Sequence, residues 1–354
     1  MSTRKTSSAS RVVTIGDVAR AAQVSTTTVS KVINGLPRVG AETRQRVLEV
    51  VAELGYQVNP TARNLRAGRT DAIGLLVPEL DRPYFGQLAT RLANALEPTG
   101  RQLVVQRSGV SRADELAAAS FARLRMYDGV IISVVGLNPS DLEQLNFQTP
   151  VVLVGERPLP RTFDHVMMDN VEGAATATAH LLERGSRRIV MLGGRDGTTE
   201  QDMPTLRTLG YYKAHARLGV PLDARLVAAV LPMDMATGYA AVRSLVDAGV
   251  TFDGIVAVTD VVAIGALRAL ADLGIRVPAE VQVVGFDNID ETEFSTPRLT
   301  TIDPGNEQIA GTVLQFLETR MAEHSAGLPR TSSKPTAEVT IPARLVIRES
   351  TRRA

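Results

Sequence analysis

Thr27, Ser30, Lys31 and Asn34 stand at i, i+3, i+4 and i+7 in the stretch VSTTTVSKVING, Val24 to Gly35. On a helix this spacing puts all four on one face, with Thr26 beside them at the first turn. Threonine is a mediocre helix former, so its density here asks for a reason other than helix stability. Short hydroxyls, an amide and a lysine fit a DNA major groove, where they hydrogen-bond base edges and approach phosphates. A solvated, threonine-rich face would carry the same residues, and the spacing alone leaves both readings open.

A second constellation follows in NPTARNLRAGRT, Asn59 to Thr70. Asn59 suits an N-cap, Pro60 the first helical position and Gly68 a stop. The helix between them has about two turns, well short of the roughly 12–15 residues an isolated helix needs in water, so it should order only against a partner. Leu65 is apolar among Arg63, Asn64, Arg66 and Arg69. It reads either as a minor-groove wedge flanked by phosphate-binding arginines or as a linker leucine packed on the next domain.

A third set lies further on. Tyr84 and Phe85 fall in an expected loop after the first strand, Arg207 begins an expected helix, Thr259 and Asp260 follow GIVAV, and Asp287 follows VQVVGF. In open parallel sheets ligands bind beyond the carboxyl ends of strands. With 8 Phe, 6 Tyr and no Trp in the chain, two adjacent aromatics in a loop suggest stacking on a ring-shaped ligand. Each residue has a plainer reading: a core aromatic, a surface ion pair, a helix cap.

These residues need elements to hold them. Thr14 caps an expected helix carrying Ile15, Val18, Ala19 and Ala22, and Ser25 caps the next, with Val29, Val32 and Ile33 inward. A third, about Glu42 to Leu54, is expected to bury Val47, Leu48, Val51 and Leu54, completing a helix-turn-helix unit. Beyond Asp71, apolar runs (Ile73–Val77, then QLVVQRSG, DGVIISVVG and PVVLVGERP) alternate with helical stretches, and after Asp169 the pattern restarts. That repetition implies two similar lobes, each a parallel sheet covered on both faces.

Charge divides at the same place. Residues 1–70 hold 11 Lys and Arg against 4 Asp and Glu, leaving 28 against 34 in the rest, so a head of +7 sits on a body of −6. This points to a polyanion-binding module joined to something else. The absence of cysteine excludes disulfides and thiolate chemistry and fits a reducing compartment. No apolar stretch approaches a membrane span and no secretory h-region opens the chain, so a cytoplasmic location is expected. The four histidines, at 165, 180, 215 and 324, show no ligand spacing, and no nucleophile elbow, P-loop or dinucleotide turn appears, so neither metal, cofactor nor catalysis is expected.

Residues 13–70 resemble the headpiece of the lactose/purine repressor (LacI) family, through VTIGDVARAAQVSTTTVSKVING followed by VGAETRQRVLEVVAELGYQVNPTARNLRAGRT. By that resemblance Thr26, Thr27 and Lys31 read bases in the major groove. Leu65 inserts into the minor groove, with Ala62 on the same hinge helix. The candidate DNA contacts are therefore Thr14, Thr26, Thr27, Ser30, Lys31, Asn34, Asn59, Ala62, Leu65 and Arg66. Two departures are visible: Gln23 stands in the interhelical turn where the family often has glycine, and Gly40 where a serine usually caps the third helix. The resemblance continues through DRPYF, RTLGYYKA, TDVVAIGALRAL, VVGFDNID and LTTIDP to PARLVIREST. It implies a periplasmic-binding-protein-like body with three crossovers between lobes and an effector in the cleft, where Arg207 and Asp287 bond hydroxyls or carboxylates. Thr259 replaces a frequent asparagine and RSG (Arg107–Gly109) a commoner polar pattern, so the resemblance names no particular sugar.

The expected organisation is a tail over 1–12, a helix-turn-helix domain over 13–58, a hinge helix and linker over 59–70, and a two-lobe α/β effector-binding and dimerisation domain over 71–354. The expected function is a repressor that binds a near-palindromic DNA operator as a homodimer and is gated by a small molecule, a sugar or sugar derivative. A solute-binding sugar sensor without DNA binding is the alternative, and the basic head argues against it. Because the chain ends in RESTRRA without a leucine heptad, dimers rather than tetramers are expected.

Overall fold

The structure is a computed structural model and describes residues 13–33, 35–56, 69–145, 147–156, 162–197, 202–328 and 335–353. The chain divides at Thr70/Asp71 into two compact units. Asn59, Ala62, Leu65 and Arg66, expected in the hinge, lie outside the described residues, as does Asn34.

In the first unit, helix α1 (Ile15–Ala21) opens on a capping box. The Asp17 N–H donates to the Thr14 hydroxyl and the Thr14 N–H to the Asp17 carboxylate. Helix α2 (Thr26–Ile33) is capped by Ser25, whose hydroxyl accepts the Thr28 N–H at 3.1 Å. Helix α3 (Ala41–Glu53) starts at Gly40 without a side-chain cap. Val18, Ala19, Ala22, Val29, Val32 and Val47 form one small core, with Ile33, Val51 and Leu54 packed against it. Leu48, expected inside, is 45% exposed. It follows Val47 by one residue, about 100° round the helix, and so misses the face that Val47, Val51 and Leu54 share.

The turn between α1 and α2 holds Gln23 at φ +53°. A side chain in this left-handed region costs up to about 1 kcal/mol that glycine avoids. Gln23→Gly should therefore raise the stability of the head by up to about that amount. Chemical denaturation of the two proteins checks it, and a lower midpoint for the glycine variant would contradict it.

The second unit starts with β1 (Ala72–Val77), α4 (Pro83–Leu96), β2 (Gln102–Arg107), α5 (Arg112–Ala118), α6 (Phe121–Leu124), β3 (Gly129–Ser133), α7 (Pro139–Gln144), β4 (Val151–Val154) and β5 (Asp164–Met168). It continues with α8 (Asn170–Glu183), β6 (Ile189–Leu192), α9 (Met203–Leu218), β7 (Val227–Ala228), α10 (Met235–Asp247), β8 (Gly254–Ala257), α11 (Asp260–Asp272), β9 (Gln282–Phe286) and β10 (Thr300–Asp303). The last elements are α12 (Asn306–Ser325), β11 (Glu338–Ile341) and β12 (Arg344–Val346).

Two six-stranded sheets result, ordered β11-β5-β4-β3-β1-β2 and β12-β10-β9-β8-β6-β7. Among the described residues all pairings are parallel except β10 with β12. The chain crosses from the first lobe to the second at Asp169, returns between β10 and α12, and crosses a third time between β11 and β12. Helix α12 belongs to the first lobe: Ile309, Val313 and Leu317 share its core with Ile73, Leu92 and Val152. In the second lobe α8 and α9 approach closely at Gly210, where a Cβ would lie 2.2 Å from the Val171 carbonyl. That contact sets α9, and with it Arg207, tight against the start of α8.

A second local expectation is corrected. Tyr84 and Phe85 are not in a loop but in the first turn of α4, with Pro83 at its first position. Proline there lacks only an N–H that the helix end would leave unbonded, and its φ is already helical, so it starts the helix instead of prolonging the loop.

Candidate functional site

In the first unit, Val29 and Val32 bury one side of α2 while Thr26, Thr27 and Lys31 are exposed on the other and Ser30 is half-buried. The apolar positions fix the helix on α1 and α3, and the hydroxyl-and-lysine face is what remains for a partner. Thr14 is exposed, but its hydroxyl is engaged, donating to the Asp17 carboxylate at 2.7 Å.

In the second unit the carboxyl ends of β8 and β9 and the second turn of α9 bring charged groups together. Arg207 is only 2% exposed. Its Nε donates to the Asn170 Oδ1 at 2.8 Å, its Nη1 to the Val258 carbonyl and, at 3.5 Å, to the Asp287 carboxylate. The guanidinium carbon lies 3.5 Å from the centre of the Phe286 ring, a cation–π contact. Burial pulls the Arg207 pKa down, while Asp287 and Glu156 push it back up. Burial raises the Asp287 pKa against the opposing pull of the Arg207 and Arg82 charges.

Asp260 and Thr259 sit beside this pair in different roles. The Thr259 hydroxyl caps α11 by accepting the Val262 N–H at 3.4 Å. Asp260 is fully buried and accepts from the Thr301 hydroxyl at 2.6 Å and the Ile289 N–H at 3.0 Å. Its pKa is raised, first by burial and then by the charge of Asp287.

From the first lobe, the Tyr84 hydroxyl is buried, and burial first and then the charges of Asp287 and Glu156 raise its pKa against the opposing pull of Arg207. Phe85 meets Tyr84 edge-on, with ring centres 5.0 Å apart, and both pack on the first lobe's core.

Three buried polar atoms in these residues have no hydrogen-bond partner: the Tyr84 hydroxyl, the Asn170 Nδ2 and the Asn306 Oδ1. Asn170 holds Arg207, and the Asn306 Nδ2 donates to the Asp287 carbonyl at 2.9 Å. Buried groups of this kind are costly unless bonded.

Comparison with known proteins follows the same division. Residues 14–59 match the pattern described as "Bacterial regulatory proteins, lacI family", and residues 178–351 a "Periplasmic binding protein-like domain". Over 351 residues the chain is 31% identical to the HTH-type transcriptional regulator DegA of Bacillus subtilis (strain 168), covering 96% of this chain and 98% of that one. It is 30% identical over 341 residues to the ribose operon repressor of Halalkalibacterium halodurans, covering 96% and 97%. The solved complex of the transcriptional regulator CelR with cellobiose superposes with a TM-score of 0.67 at 28% identity, covering 96% and 99%. The chain belongs to the LacI family.

This LacI-family chain is accordingly a DNA-binding transcriptional regulator. No helix among its described residues is long and apolar enough to cross a membrane. Sequence reasoning singled out Arg207 and Asp287 but missed Asn170, Asn306, Glu156 and Phe286. Asn170 and Asn306 each begin a helix, and Glu156 and Phe286 each lie at a strand's carboxyl end or just past it. Position at an element's end was thus the one available signal.

Proposed function

We propose that this regulator is a repressor that binds a near-palindromic operator as a homodimer, in the cytoplasm, and is gated by a sugar or sugar derivative. Thr26, Thr27, Ser30 and Lys31 read the major groove, and the hinge around Asn59, Ala62, Leu65 and Arg66 enters the minor groove. The effector lies between Tyr84 and Phe85 of one lobe and Arg207, Asp287 and Thr259 of the other. The observation that carries the effector reading is the set of three unpartnered buried atoms on Tyr84, Asn170 and Asn306 around the Arg207–Asp287 pair. It offers donors and acceptors together, as a molecule with several hydroxyls requires. The names of relatives agree: one is a ribose operon repressor and another was solved with cellobiose.

The test is a thermal-shift screen of sugars on the full chain, followed by an operator mobility shift with each sugar that raises the melting temperature. A sugar should both stabilise the protein and change its operator affinity. If no sugar does both, the gating reading fails.

Pairing is supported by the sequence NPTARNLRAGRT, whose expected helix of about two turns is too short to stand alone, and by apolar surface left over in the body. Phe294 is 83% exposed. Edge strand β2 exposes Val104 and Val105 at 38% each. Sedimentation at micromolar concentration should give twice the 37.9 kDa chain mass; a mass of one chain would overturn pairing, and four would overturn the dimer limit.

A further inference from the structure

We propose that Asp260 does not touch the effector but braces the turn that presents Asp287 to it. The inference rests on the reading that Asp287 faces the effector.

That turn is strained. Asp287 has φ +120° and Asn288 φ +52°, two consecutive side-chain-bearing residues in the region that favours glycine. Such a backbone persists only where its surroundings over-determine it. Here four main-chain polar groups of the turn are held. The Asp287 N–H donates to the Ile302 carbonyl at 2.9 Å, and the Asp287 carbonyl accepts from the Asn306 Nδ2. The Asn288 N–H reaches the Thr301 hydroxyl at 3.4 Å, and the Ile289 N–H donates to Asp260 at 3.0 Å.

Asp260 commands two of these four. One oxygen takes the Ile289 N–H directly. The other accepts the Thr301 hydroxyl proton at 2.6 Å, which turns the Thr301 lone pairs toward the Asn288 N–H. With one oxygen on the Ile289 N–H and the other on the Thr301 hydroxyl, the carboxylate is committed to the turn. The fit to the strand is close: a Cβ on Gly285 would lie 2.0 Å from the Asp260 Oδ1. Glycine there lets the carboxylate pass the backbone of β9 to reach the turn beyond it.

Chemistry separates a brace from a contact. In Asp260→Asn the amide oxygen still accepts the Ile289 N–H, and its NH2 donates to the Thr301 oxygen, so the turn keeps its ties without the charge. In Asp260→Ala both donors lose their partner.

The experiment is hydrogen exchange on the full-length protein, resolved to the segment 285–291, with D-ribose and cellobiose titrations in parallel. In Asp260→Ala the Asn288 and Ile289 amides should exchange at least tenfold faster than in the wild type, with α11 and β8 unchanged. Asp260→Asn should stay within about threefold of the wild type throughout. Should Asp260→Ala fail to fold, Thr301→Val removes one of the two ties and should loosen Asn288 in the same local way. Wild-type exchange at Asn288 and Ile289 in Asp260→Ala, or at Asn288 in Thr301→Val where the alanine variant does not fold, or acceleration spread evenly over the lobe, overturns the brace. So does an Asp260→Asn protein with wild-type exchange that no longer binds the sugar the wild type binds, because the carboxylate would then be a contact. If neither sugar binds the wild type, those sugars are removed as effectors, and the exchange result still decides the role of Asp260.

Discussion

Replacing Arg207 by alanine should cost the body about 3–5 kcal/mol, the range for removing one partner of a buried ion pair. The corresponding fall in melting temperature is roughly 10 °C. The reason is the company the guanidinium keeps. At 2% exposure it satisfies the Asn170 amide oxygen, the Val258 carbonyl and the Asp287 carboxylate and lies on the Phe286 ring. Truncation leaves a carboxylate and two other acceptors buried without a donor, and a void against an aromatic face. Arg207→Lys keeps the charge but not the planar fork, so it should recover only part of the loss. Calorimetry of the three proteins checks this, and an alanine variant within 1 kcal/mol of wild type would show that Arg207 is not structural.

The same burial separates Arg207 from Asp287 as tools for testing gating. From the sequence the two are equivalent, opposite charges at the mouth of one cleft. In the fold Arg207 is tied to α8, β8 and β9, so its loss disturbs the lobe as well as the site. Asp287→Asn keeps volume and an acceptor and removes only charge. It is the cleaner variant, with an expected ten- to hundredfold loss of effector affinity from one charge-assisted hydrogen bond of roughly 1.5–3 kcal/mol.

Local patterns in the sequence carried through to the structure where the physics is local. Thr14 with Asp17 is a capping box across three residues, and the apolar runs that became β1, β3, β4, β6, β8 and β9 are buried on both faces. Two misreadings are of the same kind: Leu48 was one helical step too far round, and Pro83 marked the start of a helix where a loop was expected. The site was harder to see. Arg207 and Asp287 are conspicuous as charges near apolar strands. Asn170 and Asn306 look like ordinary helix starts, because their meaning comes from partners 37 and 19 residues away. Asp260 is alike in this respect, since its partners Ile289 and Thr301 are 29 and 41 residues away. Nothing in TDVVAIG indicates that its carboxylate reaches Thr301 and Ile289.

Removing residues 1–70 should abolish specific operator binding, a loss of at least about a thousandfold, the usual lower bound separating specific from non-specific affinity. The head carries +7 and the body −6, so the remaining chain would repel the phosphate backbone that the head attracts. In the full chain the affinity should fall linearly on a logarithmic salt scale, with a slope set by the number of phosphates neutralised. Single substitutions should divide along chemistry. Thr27→Ala removes a short hydroxyl from the exposed face of α2 and should relax preference at one base position with the salt slope unchanged. Arg66→Ala removes a positive charge proposed to meet phosphate and should weaken all sequences alike while lowering the slope by about one. Binding can be followed by fluorescence anisotropy on a duplex selected by the protein from a random pool, at several salt concentrations. A body starting at Asp71 that held this duplex as tightly as the full chain would place the DNA interface elsewhere. A Thr27→Ala variant whose salt slope fell as far as that of Arg66→Ala would mean that the threonine face meets phosphates and not bases.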